Sequence, residues 1–281
     1  TLFPYTTLFR SLRMSIQQTI APLGHTIIAL SSPPNDNVDN SIMTWIDHLN
    51  SVSDAINHKP AIIVIPFSDI EAAETFAAQA PVKSSYRVLC VCYHGAIGQE
   101  AELAGAMAAA LADSNDPALP FDGVNLGGIT AVADEYKLKF DRIEQALNRG
   151  VCMIDTGVDG VPEIVRAVST YRVNPDSGAD DDLMLDINGA LVIDYTRKVL
   201  RTDLANERRR KNTAAKRRNV RSIILKRLTQ LDDAEILQNV RARADELTVT
   251  EDATDRYRAN AKIPADWVRG MHVIAGTLDV Y

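Results

Sequence analysis

Aromatic side chains are scarce in this chain: Phe, Trp and Tyr make up only 6% of its 281 residues. Aliphatic side chains and alanine must therefore fill the core, and a hydrophobic content of 46% is enough for one of good size. Cysteine is scarcer. Cys90, Cys92 and Cys152 are odd in number and irregular in spacing, so they offer no disulfide framework and fit synthesis in a reducing cytoplasm. No apolar run approaches the roughly 20 residues of a membrane-spanning helix. The longest, Ala61–Ile65 and Val88–Val91, have the length of strands. An excess of positive charge is also lacking. The net charge is −7, which argues against a general nucleic-acid binder.

Catalytic signatures are missing too. Asp69 and His94 stand just after strand-like runs, where α/β sheets usually carry their active sites. A hydrolase triad would also need a serine on a glycine-flanked elbow, and there is no G-x-S-x-G; Ser177 lies in a distant acidic turn. Cys90 and Cys92 share one face of a strand, and with Cys152 and His94 they raise the question of a metal. C-x-x-C spacing is absent, so buried structural thiols are the expectation and no metal or cofactor is implied. The glycine-rich segment Gly123–Gly128 (GVNLGG) matches neither a dinucleotide fingerprint nor a Walker loop and reads as a tight turn.

What is present is an alternation. Thr26–Leu30, Ala61–Ile65, Tyr86–Tyr93 and Val151–Ile154 read as strands, separated by helical patterns over Val38–Ile56, Ile70–Ala80, Gly98–Ala112 and Ala131–Asn148. Strands alternating with helices predict parallel βαβ units with both sheet faces covered. After Asp155 the pattern changes. Val161–Val173 reads as a long strand and Asn174–Asp182 as an acidic turn. Leu183–Arg208 and Val220–Val240 read as helices, the former after a strand-like start. Ala253–Ile263 and Gly270–Tyr281 read as closing strands. The expectation is an α/β domain over 12–155 and an α+β domain over 156–281. Residues 1–11 (TLFPYTTLFRS) resemble a translated sequencing adapter.

Charge is segregated. Residues 208–227 hold ten Lys or Arg and no acid, whereas 228–255 hold eight acids and two arginines. A phosphate-binding footprint is one reading, but stacking aromatics are missing and the neighbouring acids would repel a nucleic-acid backbone. A solvated helix face is a second. Complementary patches that meet on adjacent copies are the favoured third, with Arg208, Arg209, Arg210, Lys211, Arg217 and Arg218 as the basic side.

Several stretches resemble, in order and spacing, the tail sheath proteins of Mu-like contractile phages. They are AELAGAMAAALADSNDPALPFDGVNLGGI (101–129), RIEQALNRGVCMID (142–155), EIVRAVSTYRVN (163–174) and LMLDINGALVIDYTRKVLRTDL (183–204). The resemblance implies an α/β domain with a subtilisin-like fold but no active site, followed by a sheath C-terminal domain. It implies a structural protein of the virion tail, not an enzyme, assembled in the host cytoplasm. Its partners would be other copies of itself in stacked hexameric rings, the tail tube protein, and baseplate and tail terminator proteins. Neither nucleic acid nor stable membrane insertion is implied. Contraction would drive the tube through the host envelope. Terminal strands would pass between subunits. Here the donated strand would be His272–Tyr281, using His272, Val273, Ile274, Leu278, Val280 and Tyr281, and Val161–Val173 would receive it. The family's N-terminal linker strand has no counterpart, its place being taken by the adapter-like string.

Overall fold

The computed structural model describes residues 26–34, 41–54, 57–207 and 210–272. The adapter-like segment, Arg208, Arg209, and Val273, Ile274, Leu278, Val280 and Tyr281 of the expected donated strand lie outside the described residues.

These residues form two compact units, 1–114 with 120–187, and 115–119 with 188–281. The first is built on a five-stranded sheet of order β1-β2-β3-β4-β5. Its strands are β1 (Ile27–Ala29), β2 (Ile62–Phe67), β3 (Val88–Cys92), β4 (Val151–Thr156) and β5 (Pro162–Arg166). The first three pairings are parallel and β4–β5 is antiparallel. Every residue of β2 and β3 is buried, which is why they read as unbroken apolar runs rather than alternating ones. Helices α1 (Ser41–Ser53), α2 (Ile70–Ala77) and α4 (Phe140–Asn148) supply the cover for one face. Trp45, Leu49, Phe76 and Ile143 pack there with Ile63, Ile65, Cys90 and Met153. Helix α3 (Glu100–Asp113), the alanine-rich one, lies against β1 and β2 and buries Leu103, Ala104, Met107 and Leu111. Small side chains along it let helix and sheet approach closely.

The expected boundary at 155 is corrected by β5. This strand returns antiparallel beside β4 and completes the same sheet, so residues 156–187 belong to the first unit. The expected long strand also stops at Arg166. Beyond it, side chains take over the bonding that a ladder would provide. The Ser169 hydroxyl donates to the Met184 carbonyl at 2.8 Å, while the Thr170 hydroxyl reaches the carbonyls of Val82 and Ser85 at 2.8 and 3.0 Å. Thr170 is fully buried. Thr170→Val keeps the shape but removes both bonds, the Val82 carbonyl keeping only the Ser85 amide at 2.9 Å, and is expected to cost about 1–3 kcal/mol, read as a lowered thermal midpoint.

The second unit holds helices α5 (Ile187–Asp203) and α6 (Ala214–Asp233) and a hairpin, β6 (Thr248–Glu251) with β7 (Ala259–Lys262). Val192, Leu200, Ile224, Leu228, Leu231, Leu237 and Trp267 form its core. Thr213 caps α6 by accepting from the Lys216 amide at 3.3 Å. The helix ends near Ala234, short of the expected Val240, and Glu235 follows at φ 57°. Asn188, 4% exposed, holds the short 115–119 segment by donating to the carbonyls of Pro117 and Leu119 at 3.0 and 2.8 Å.

Candidate assembly surface

The residues that raised the question of catalysis are each occupied locally. The Asp69 carboxylate caps α2 by accepting from the Ala72 amide at 2.9 Å. Nε2 of His94 bonds to the Tyr136 carbonyl at 2.9 Å. The Ser177 hydroxyl accepts from the Ala179 amide at 3.3 Å, inside a turn organised by Asn174. Cys90, Cys92 and Cys152 are buried and free. Burial pushes the Cys92 and Cys152 thiols up to about 12 and raises Cys90 well above its ordinary value. All three stay protonated and pack as small apolar groups. Among the described residues no cluster could hold a metal ion.

The sequence motifs that carry the family resemblance prove to be fold-locking devices. Arg166 forms a two-pronged pair with Asp186, at 2.8 and 3.0 Å. The Tyr171 hydroxyl donates to Asp181 at 2.8 Å. Burial, reinforced by that carboxylate, lifts the Tyr171 hydroxyl to about 12. R-x-V-S-T-Y thus fastens β5 and the segment after it to residues 181–186 of the same unit, among them the Asp of L-D-I-N. None of their contacts requires a ligand.

The edges of the sheets differ in what they leave open. The outer edge of β5 is already paired. The Gly123 and Leu126 amides donate to the Ile164 and Pro162 carbonyls at 2.8 and 2.7 Å, and the Ile164 amide donates to Val124 at 3.0 Å. GVNLGG is therefore a cover for an edge strand, with Gly123 and Gly128 at φ 74° and 83° taking conformations that favour glycine. This overturns the expectation that Val161–Val173 receives a strand, because its ladder groups are spent inside its own chain.

Among the described residues the hairpin β6–β7 has no such cover. All four residues of β7 are exposed, as are three of the four in β6. Asp252 and Arg258 form a bonded pair, with 3.0 Å from the Asp252 amide to the Arg258 carbonyl. By antiparallel alternation, Thr250 with Asn260 and Thr248 with Lys262 are bonded pairs as well. The backbone groups of Val249, Glu251, Ala259 and Ala261 consequently point outward, and none has a partner among the described residues. Asp252 organises the turn, accepting from the Thr254 and Asp255 amides and from Asn260 at 2.9, 3.0 and 2.7 Å. The Asn260 bond and then those amides hold its carboxyl below the ordinary carboxylate range. A depressed pKa contributes stability above the unfolded value near 4 and loses it as the pH falls towards the folded one. Asp252→Ala is thus expected to speed amide hydrogen exchange across 248–262 at neutral pH and leave β2 and β3 protected. Equal protection in the variant would show that the turn does not depend on this carboxylate.

Residues 179–281 match the family model of the phage tail sheath C-terminal domain. No curated protein matches the chain. Among solved structures, a chain of the helical sheath of the anti-feeding prophage in its contracted state superposes with a TM-score of 0.64 at 15% identity, over 94% of this chain and 73% of that one. A chain of the anti-feeding prophage baseplate gives 0.63 at 16% identity, over 91% and 68%. The sheath tail protein of Desulfitobacterium hafniense gives 0.61 at 16%, over 92% of this chain and 60% of its own length. The chain has a tail sheath fold.

Within this sheath fold the basic run is only partly a surface patch. Arg217 pairs with Glu251 at 3.0 Å, and Arg227 forms a two-pronged pair with Asp203 at 2.6 and 2.8 Å. Arg221 donates to the Leu247 and Ala244 carbonyls at 2.8 and 2.7 Å. Arg210 lies 4.0 Å from Glu207. Lys211 and Arg218 are exposed, and their side chains have no bonded partner among the described residues. Of the six expected patch residues, Arg217 is thus corrected to an internal tie of the C-terminal domain. No helix among the described residues is long and apolar enough to cross a membrane.

Proposed function

We propose that this chain is a structural subunit of a contractile tail sheath. It polymerises around a tail tube and shortens to drive that tube through a host envelope. The observation that carries this reading is a match to the sheath C-terminal domain together with an exposed two-stranded sheet whose outer backbone groups have no partner among the described residues. Such edges invite pairing with another chain. Strand addition supplies backbone hydrogen bonds that can persist while whole domains move as rigid bodies. Residues 272–281 are the donated strand, and the β6–β7 hairpin of another copy receives it.

The role is mechanical, without turnover, because each candidate catalytic side chain is committed to a local structural bond. Its partners are further copies of itself, the tube protein, and the baseplate and terminator proteins at the two ends. The location is a virion tail assembled in the host cytoplasm, and the R-x-V-S-T-Y and L-D-I-N motifs favour the Mu-like branch. Exposed Arg210, Lys211 and Arg218 form the basic side of a contact between copies, which salt would weaken. The domains are taken as the two units, with 115–119 joined to 188–281 and the remainder up to 187 forming the first. Negative-stain microscopy of the purified chain tests the proposal. Tubes or stacked rings are expected, and monomers at every concentration and salt level would contradict it.

A further inference from the structure

Large apolar side chains are exposed together at one end of the first unit. Ile97, Tyr136 and Phe140 are 79%, 69% and 71% exposed, and Val158 is fully so. They come from separate connections at the carboxyl ends of the parallel strands. Ile97 follows β3, Val158 follows β4, and Phe140 opens α4, the helix that runs back along the sheet to feed β4. Side-chain bonds tie these connections together. The Tyr93 hydroxyl, just past β3, bonds the Thr156 hydroxyl at the end of β4 at 2.9 Å, and both oxygens accept from the Val132 amide, at 2.9 and 3.2 Å. His94 holds the Tyr136 carbonyl at 2.9 Å. The apolar side chains thus stand on one braced platform rather than on independent loops. Single exposed apolar residues are ordinary, but several gathered in one place mark a contact surface.

Charge around the platform narrows the occupant. Asp134, Glu135, Asp141, Glu144 and Asp159 are exposed there, against Lys137, half-buried, and Lys139. Lys137 is already paired with Asp134 at 2.8 Å. Two copies joined platform to platform would set these acids against themselves, and a nucleic acid or an anionic membrane would meet the same repulsion. A cationic surface with long side chains answers both features. Its charged heads reach the acids and lie over Tyr136 and Phe140, while its methylene stems cover the apolar groups. The second unit carries such a surface. Arg218, Ser222 and Lys226 follow one another at four-residue spacing on α6 and all three are exposed. Arg218 and Lys226 therefore stand about 12 Å apart along one side of the helix.

We infer that the acidic, aromatic platform at the carboxyl end of the sheet takes the α6 face bearing Arg218 and Lys226 from a second copy. The inference rests on the sheath-subunit reading above and supplies the acidic side of its contact between copies. Two different surfaces meet, so each pairing leaves one of each kind free. Such contacts build rings or open helices rather than closed dimers.

Carbodiimide cross-linking of the full chain, assembled from equal parts of unlabelled and heavy-isotope-labelled protein, tests the contact. Amide links between Lys226 and the carboxylates within 134–144 are expected in peptides that join a light copy to a heavy one. Tyr136→Ser with Phe140→Ser is expected to lower those links and the sedimentable polymer about tenfold or more. Circular dichroism should not change, because both side chains are exposed. Glu135→Lys with Glu144→Lys leaves the aromatics in place and is expected to lower both readouts as well, most strongly at low salt. Links confined to one copy, or polymer from either variant equal to the parent's, would overturn the contact. A parent that polymerises without these links would remove the contact and leave the sheath reading standing. A parent that gives neither polymer nor links would remove both.

Discussion

Replacing Glu74 by glutamine is expected to destabilise the first unit by about 2–3 kcal/mol. Glu74 is a charged side chain only 8% exposed, and two guanidiniums meet its carboxylate. Arg142 bonds to one oxygen and Arg149 to the other at 2.5 Å. Arg142 also reaches Glu71 at 3.2 Å. The two arginines sit at opposite ends of α4, so one acid on α2 pins both ends of the neighbouring helix over the sheet. Glutamine preserves the volume but loses the charge and turns an amide N–H2 towards a guanidinium. Removing one member of a buried pair costs roughly 3–5 kcal/mol. The lower figure applies here because the Arg142 and Arg149 side chains keep 25% and 54% of their exposure and are partly hydrated when stranded. Urea unfolding should show a lower midpoint at an unchanged slope. A shift under about 0.5 kcal/mol would mean that water already screens the cluster as it does surface pairs.

The parallel core was legible because strands buried on both faces must be apolar throughout, and Ala61–Ile65 and Val88–Val91 could be little else. Helix α1 was legible for a similar reason. Ile42, Trp45, Ile46, Leu49 and Val52 recur at helical spacing and are all buried. The boundary at 155 was misplaced because a glycine turn followed by an apolar run reads equally well as a new domain and as a hairpin back onto the old one. Only the pairing of Ile154 with Ile164 decides between them. The covering of β5 by Gly123–Leu126 has no local signature. It joins backbones almost forty positions apart, and the glycines report only that a turn is present.

The basic run teaches a different lesson. Its composition suggested a surface, yet Arg217 and Arg221 each lie seven residues, about two helical turns, before Ile224 and Leu228 along α6, on or beside the buried stripe. That spacing was available in the sequence and could have assigned those guanidiniums to internal ties. Arg218, one residue out of phase, is the one left outside. Charge runs on helices separate into structural and interacting members only when read against the apolar periodicity of the same helix.

The second large effect concerns assembly. The described core of the second unit is tied together ahead of His272: Trp267 is bridged to Leu237, and the Val268 amide donates to the Ile236 carbonyl at 3.2 Å. Loss of the terminus should therefore leave the subunit folded and affect only its joining to others. Backbone hydrogen bonds along four residues of an edge, repeated at every junction of a lattice, are cooperative in effect, so their loss should be all or none at the level of tubes. The most direct measurement is electron microscopy of the full chain and of a chain ending at His272, at matched concentration and salt. Tubes or stacked rings from the former and folded monomers alone from the latter are predicted; tubes of normal length from the shortened chain would contradict strand exchange as the basis of the sheath.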